Sequence, residues 1–315
     1  MPVYIPSETG YYEDAFKIFT ICIESLLATV HQSRMDITII DNASISKVQK
    51  YLQPKIESGQ IDQYVRNTVN RGKADAIIGL GKASYEPFIT IADSDVLFLP
   101  GWLDQVETIY ELFPAAGVVC PFPAPHLVHH HCNSAWVRHF FALRKRKAVS
   151  RIALETYEKN LGISNFFRPS IWRSQWCLSK NGVDALLGSS HFVATYRSTV
   201  FSTLHYSPKR MGLKGGLRGI EQQVDRRGMS RLSCVENHVL HMGNKLEPWM
   251  IVREAIVQDN SDIQRNLQLQ PSNCLQYFPG ISSMAITYLF VAYDRLRDLV
   301  VDHLTLNVSG SNNTN

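Results

Sequence analysis

Compact cysteine spacing is the first thing this sequence lacks. Its six cysteines, Cys22, Cys120, Cys132, Cys177, Cys234 and Cys274, lie far apart with no Cys-x-x-Cys pair, which excludes a small disulfide-stapled scaffold. In a chain of 315 residues, long enough to bury one large core or two modest ones, scattered cysteines read as reduced thiols, and the expected location is the cytoplasm. Long apolar runs are also missing. The longest, residues 284–293, is too short to cross a bilayer. The first residues hold no basic stretch followed by an apolar one, so no secretory signal is expected. Peripheral membrane contact stays open on these grounds, as does oligomer formation. Strong charge is absent too: the formal excess is +4, and basic residues cluster only at Arg144, Lys145, Arg146 and Lys147. One such run reads as a solvated helix face, so nucleic acid is not an expected partner. With 45% apolar and 19% charged residues, the composition is that of a folded soluble protein and excludes wholesale disorder.

Hydrophobic patterning alternates between strand and helix. Residues 3–5 and 36–40 read as short strands, while residues 14–29 and 45–55 carry apolar residues at helical spacing, the second helix capped by Ser44 or Ser46. A strand over 61–69, a helix to about 84, a strand over 88–92, a helix over 102–112 and a strand over 118–120 come next. That order predicts an α/β protein with a mostly parallel central sheet, helices on both faces and right-handed crossovers. Residues 121–187 read as an insertion beside the sheet on the acceptor side, with a basic helix, His129, His130 and His131, and Trp172 and Trp176. Strands are expected over 191–196 and 231–235, with helices over 198–204 and 221–227. Between them, the glycine-rich basic stretch 209–219 reads as a mobile loop. The expected organisation is a catalytic domain over 1–245, divided at 120 and 187, then a helical extension over 246–315 with a helix near 282–304 and a disordered tail.

The chemistry concentrates where the strand 88–92 stops at Asp93 and Asp95. Two carboxylates one residue apart at a strand end can turn hard oxygen ligands toward one divalent cation, whereas a solvated turn uses the same residue types. The neighbouring residues narrow the choice. Asp93-Ser94-Asp95, the apolar Val96-Leu97-Phe98-Leu99 and then Pro100-Gly101-Trp102 resemble the signature of glycosyltransferases of the GT-A fold, especially their family 2-like group. The resemblance extends over roughly the first 245 residues. Ile39-Ile40-Asp41-Asn42-Ala43-Ser44 is similar to the family's strand-end segment, whose acid contacts the nucleotide base; Asp41 in an Asx-turn is the bland reading. Asn42-Ala43-Ser44 also forms a glycosylation sequon, which a cytoplasmic chain would not use. Pro6, Ser7 and Glu8 fall in the loop that surrounds base and ribose in the family. Asn70, Arg71, Gly72 and Lys73 resemble its Asn-x-Gly segment, where a glycine admits backbone close to ligand and a cation meets phosphate.

The resemblance implies a Rossmann-like GT-A fold and transfer of a sugar, hexosyl-type, from a nucleoside-diphosphate sugar to an acceptor hydroxyl. UDP- and GDP-sugars are the implied donors; the acceptor is a sugar, a glycan or another hydroxyl compound. The implied cofactor is Mn²⁺ or Mg²⁺, with Asp93, Asp95 and His241 as ligands and Ser94 beside the donor. An imidazole ligand favours Mn²⁺. Inversion by single displacement needs a base, which the family places in a Gly-x-Glu-Asp-like segment. Gly219-Ile220-Glu221-Gln222 stands there, with Gln222 in place of an acid, so Glu221 is the first choice and Asp225 the second. A nucleotidyltransferase would want a basic, glycine-rich loop after the first strand, which residues 6–10 do not supply. A non-catalytic sugar- or nucleotide-binding protein on the same fold is the other alternative. His129, His130 and His131 lack a second ligand pair at zinc-like spacing and read as loop polarity.

Overall fold

The computed structural model describes residues 1–30, 34–202, 204, 217–259 and 283–310. The mobile loop expected over 209–219 falls mostly outside the described residues, as do residues 311–315 of the expected disordered tail.

Three parallel strands open the fold: β1 (Pro2–Val3), β2 (Thr38–Asn42) and β3 (Gln63–Asn67), in the order β1-β2-β3. Helices α1 (Ala15–Thr29) and α2 (Ser46–Glu57) make the crossovers between them. This is the βαβ arrangement that the alternating pattern predicts, because parallel neighbours need a long connection. The cap of α2 is not a serine side chain; Ile45 holds the N-cap and the Ser44 hydroxyl accepts from Ile5 N instead. Helix α3 (Lys73–Ala83) then leads to β4 (Phe88–Ala92), which joins a second, seven-stranded sheet in the order β4-β10-β6-β11-β9-β8-β7.

In that sheet β6 (Ala116–Cys120) and β11 (Ser230–Ser233) pair parallel, while β10 (Val193–Arg197) runs antiparallel to both β4 and β6. Residues 121–187, expected beside the sheet, supply three of its strands: β7 (Arg144–Arg146), β8 (Gln175–Lys180) and β9 (Val183–Leu187). The α/β class holds, but among the described residues parallel pairing is confined to β1-β2-β3 and β6-β11. The physical reason is local: β8 and β9 are joined by the two-residue turn Asn181-Gly182, both at positive φ, and such a turn permits only antiparallel pairing.

The basic run 144–147 is likewise corrected from helix face to strand. Lys145 is buried on β7 and paired with Asp294 and Asp298, each at 2.5 Å. Both acids sit on the C-terminal helix, here named α11 (Ser283–Gly310), which also stacks Phe290 on Trp136 with ring centres 4.7 Å apart. Trp136 belongs to α5 (Asn133–Arg138). The five described cysteines are buried free thiols. No described helix is long and apolar enough to cross a membrane.

A single core runs through both sheets. Helix α4 (Trp102–Leu112) packs against β6 and buries Trp102 and Val106. Helix α8 (Thr199–Ser202) packs against α3, and α10 (Pro248–Asp259) against α1. The acidic turn is followed by β5 (Val96–Phe98), which pairs antiparallel with the distant β12 (Val239–His241).

Candidate functional site

The β5-β12 ladder places the site. Val96 pairs with His241, and Met242 N donates to Asp95 O at 2.8 Å, so the end of β12 is stitched to the acidic turn. As a result His241 Nε2 stands 3.3 Å from Asp95 Oδ2, although 146 positions separate the two residues in the sequence (241 less 95). His241 Nδ1 is buried without a hydrogen-bond partner, and Phe192 meets the ring edge-on at 5.4 Å. On the other side of the turn, Asp93 N donates to Phe192 O at 2.7 Å, and the Asp93 carboxylate pairs with Lys73. Burial pushes the Asp95 carboxyl above the ordinary carboxylate range; His241 and Lys73 oppose the rise and the neighbouring Asp93 charge adds to it. A partly dehydrated anionic pair of this kind favours a cation.

Asn42 at the end of β2 organises the turn over residues 70–72. Its Oδ1 accepts from Asn67 Nδ2 at 2.9 Å and Arg71 N at 3.3 Å, and its Nδ2 donates to Gly72 O at 3.2 Å. Asn70 Oδ1 accepts from Gly72 N at 2.8 Å. Gly72 adopts φ 81°, ψ 160°, a conformation that essentially only glycine enters, and Lys73 immediately begins α3. The backbone turn thus aims the lysine at Asp93. Asp41 is fully buried and used locally: its Oδ1 accepts from Ser44 N at 2.7 Å and its Oδ2 from Tyr64 Oη at 2.6 Å. Those bonds hold the turn that Ala43 completes at φ 69°. Glu8 forms an exposed ion pair with Lys47 at 2.6 Å, and the Ser7 hydroxyl accepts from Thr9 at 3.5 Å. Pro6 and Ser94 are half-buried.

Glu221 and Asp225 share α9 (Arg218–Arg226) but serve different neighbours. Glu221 Oε1 accepts from Arg231 Nη2 at 3.1 Å and lies 4.0 Å from His191 Nδ1. Arg231 is wholly buried on β11 and also donates to Ser189 Oγ, Ser189 O and His130 O. Asp225 instead turns into the protein, where its Oδ1 accepts from Ser134 N at 2.7 Å and Ser134 Oγ at 2.6 Å, tying α9 to α5.

Two residues of the site escape a reading of the sequence. His191 stands between the two charge groups: loss of solvent and the Lys73 charge lower its pKa, while Glu221 and Asp93 draw it up. Arg231 fixes Glu221 from the neighbouring strand. The sequence carried little signal for it, a single arginine beside Leu232 in a strand that also holds two serines, although a fully buried guanidinium must be paired. Among the described residues no three His, Cys, Asp or Glu side chains form a ready metal cluster. His129 Nε2 bonds Asp294 Oδ2 at 3.1 Å and its ring stacks on Trp136, so it serves the docking of α11. Trp176 does the same through Nε1 and Asp294 Oδ1 at 2.8 Å.

Residues 11–164 match the family model described as Glycosyl transferase family 2. Among solved structures, the chain is similar to the mannosyltransferase PcManGT from Pyrobaculum calidifontis in complex with GDP-Man and Mn²⁺. The identity is 12%, the TM-score 0.43, and the match covers 75% of this chain and 53% of that one. It is also similar to S. aureus TarS 1-349 in complex with UDP, at 11% identity and TM-score 0.42, covering 84% of this chain and 65% of that one. The chain therefore spans between about half and two thirds of the length of these structures. No curated protein sequence matches it. Residues 11–164, somewhat under half of the chain, are thus similar to glycosyl transferase family 2.

Proposed function

We propose that the protein transfers a sugar, hexosyl-type, from a UDP- or GDP-sugar to an acceptor hydroxyl by single displacement with inversion, and that it works in the cytoplasm. The observation that carries this reading is the convergence of Asp95 and His241 beside the Lys73–Asp93 pair. A divalent cation fits this donor set. Mg²⁺ and Mn²⁺ take one or two carboxylates and complete their shell with water and substrate phosphates, and the partly dehydrated Asp95 carboxyl and the imidazole Nε2 facing it suit such an ion. Asp95 and His241 would hold it, with Asp93 joining once Lys73 turns to phosphate. When bound, the cation supplies neutralisation of the charge growing on the departing diphosphate.

The remaining work falls to the chain. Asn42 and Asn70 hold the 70–72 turn so that Lys73 presents its ammonium to the diphosphate. Arg231 fixes Glu221 Oε1 and leaves Oε2 to accept the proton of the acceptor hydroxyl. The hydroxyl oxygen forms the new bond to the anomeric carbon, the bond to the diphosphate breaks, and the leaving group departs with the electron pair. A general base of this kind contributes about 10²–10⁴ in rate.

A non-catalytic sugar-nucleotide-binding protein is the second reading, favoured by the pairing of Glu221 with the buried Arg231, which already occupies one carboxylate oxygen. Calorimetry with UDP and GDP, with and without Mn²⁺, followed by a screen of nucleotide sugars for Mn²⁺-dependent hydrolysis, tests the proposal. Metal-linked nucleotide binding with hydrolysis supports it. Metal-linked binding without hydrolysis or transfer supports the second reading, and no nucleotide binding at all overturns both.

A further inference from the structure

Helix α11 carries its charges inward and its apolar residues outward. Asp294 and Asp298 pair with the buried Lys145, the Arg297 guanidinium lies over the Trp176 ring at 5.3 Å, and Phe290 stacks on Trp136. At about 100° per residue, Tyr288, Leu289, Ala292, Leu296 and Leu299 share one arc of similar width on the side away from Phe290. They are exposed: Tyr288 by 71%, Leu289 by 70%, Leu296 by 62% and Leu299 by 66%. From Ala285 to Leu299 that face is about 21 Å long. The apolar surface continues off the helix, since Phe140 lies 6.5 Å from Phe290 and 5.2 Å from Phe141, itself 87% exposed. The two helices that follow β7 show the contrasting, solvated case. Helix α6 (Arg151–Leu161) exposes Ile152 alone among Arg151, Glu155 and Lys159, and α7 (Pro169–Arg173) exposes Pro169, Ser170 and Arg173. A continuous apolar surface such as that of α11 marks a place of contact. We infer that the outer face of α11, with Phe140 and Phe141, lies on an anionic phospholipid surface. The inference does not depend on the transferase reading.

Charge selects this occupant. Residues 137–147 hold five Arg and Lys and no Asp or Glu. Arg144 donates to Phe141 O at 2.6 Å and to Leu143 O at 2.9 Å. Both acceptors are neutral carbonyls, so the guanidinium beside the exposed ring keeps its charge for a phosphate. Arg295 is exposed at the rim of the outer arc. The only acids between residues 285 and 299, Asp294 and Asp298, are engaged with Lys145 on the inner side. Tyr288 and Tyr293 suit the boundary between headgroups and acyl chains, where aromatic rings with a polar tip collect. No described helix is long and apolar enough to cross a membrane, so α11 lies along the surface, leucines toward the acyl chains and arginines among the phosphates. The helix is already docked through Lys145 and Trp136, which limits the entropy lost on binding. A second copy is the competing occupant, but a two-fold contact sets each face against itself and brings cations toward cations.

Vesicle co-sedimentation of the full chain tests the assignment. The probes are vesicles of phosphatidylcholine alone and vesicles of phosphatidylcholine and phosphatidylglycerol in equal parts. Binding to the mixed vesicles should exceed binding to phosphatidylcholine alone by at least about tenfold and should weaken as salt is added. Leu296→Asp and Arg295→Glu should each reduce binding to the mixed vesicles by about tenfold or more. Both residues are exposed, so thermal unfolding of the variants should match that of the parent protein. Tyr85→Asp serves as the control. Tyr85 is fully exposed just before β4, at the edge of the seven-stranded sheet opposite β7, and its substitution should leave vesicle binding unchanged. Absence of vesicle binding, equal binding to both kinds of vesicle, an equal loss in Tyr85→Asp, or full binding by a folded Leu296→Asp protein would each overturn the inference. Light scattering identifies the competing occupant: a dimer that Leu296→Asp turns into a monomer, together with no vesicle binding, overturns the membrane assignment and gives the face to self-association.

Discussion

His241 Nε2 lies 3.3 Å from Asp95 Oδ2 because the β5-β12 ladder sets Val96 opposite His241. The two side chains therefore depend on one ladder for their position. Asp95→Asn should abolish metal-linked nucleotide binding while thermal unfolding stays close to that of the parent protein. His241→Ala should weaken apparent Mn²⁺ affinity by about 10–100-fold, as loss of one contributor to a metal site does. Calorimetric titration of Mn²⁺ into the UDP-saturated protein reads both. Undiminished metal affinity in Asp95→Asn would remove Asp95 from the site.

Glu221 and Asp225 lie one helical turn apart, yet their surroundings predict opposite outcomes. Glu221→Gln should depress transfer by about 10²–10⁴-fold with nucleotide affinity intact, because it removes a proton acceptor and keeps the bond from Arg231. Asp225→Asn replaces a buried carboxylate that accepts two bonds from Ser134. Its cost should appear in stability, about 1–3 kcal/mol, with turnover of the folded fraction retained. Single-turnover transfer and denaturant unfolding, measured on both variants, separate the roles. Severe loss of turnover in a stable Asp225→Asn protein would reverse the assignment.

How much of this could be read from the sequence depends on how local the determining interactions are. Helix α4 matches its expected bounds, residues 102–112, because its apolar spacing and the preceding Pro100-Gly101 are local signals. The acidic turn was legible for the same reason. Lys145 was not: a lysine in a basic run looks solvated until Asp294 and Asp298 arrive from a helix some 150 positions away. The sheet order behaves likewise, since a strand's spacing says nothing of its neighbours, and β10 finds β4 and β6 from a distance of more than 70 residues. His191 and Arg231 belong to the site only through such pairings.

Gly117 in β6 offers a test of core packing. A Cβ built there would meet Met229 Cβ at 2.5 Å, Met229 Sδ at 2.7 Å and Val224 Cγ1 at 2.9 Å. None of these groups can retreat freely, because Met229 and Val224 are buried between α9 and β11. Gly117→Ala should therefore destabilise by about 1–3 kcal/mol through overpacking. Guanidinium unfolding should show a lower midpoint at unchanged slope. Since α9 carries Glu221, transfer activity should decline together with stability.

Acid should release α11 before it dismantles the sheets. Asp294 accepts from Lys145, Trp176 and His129, and although burial works in the other direction, these donors hold its pKa well below the ordinary aspartate value. A carboxylate depressed in the folded state contributes stability that is present above its unfolded pKa of about 4 and lost as pH falls through the lower folded value. The docking of α11 on α5 and β7 should accordingly be constant at neutral pH and weaken below about pH 4. Asp294→Asn should mimic that weakening at pH 7, because it removes the charge opposite the buried Lys145 and leaves that ammonium with Asp298 alone. Trp136 and Trp176, packed against Phe290 and Tyr293, supply the fluorescence signal. An emission shift in Asp294→Asn at neutral pH that matches the parent protein's shift in acid is the expected result. Identical neutral spectra, together with limited proteolysis that leaves α11 uncut in both proteins, would show that the Asp294 charge does not hold the helix.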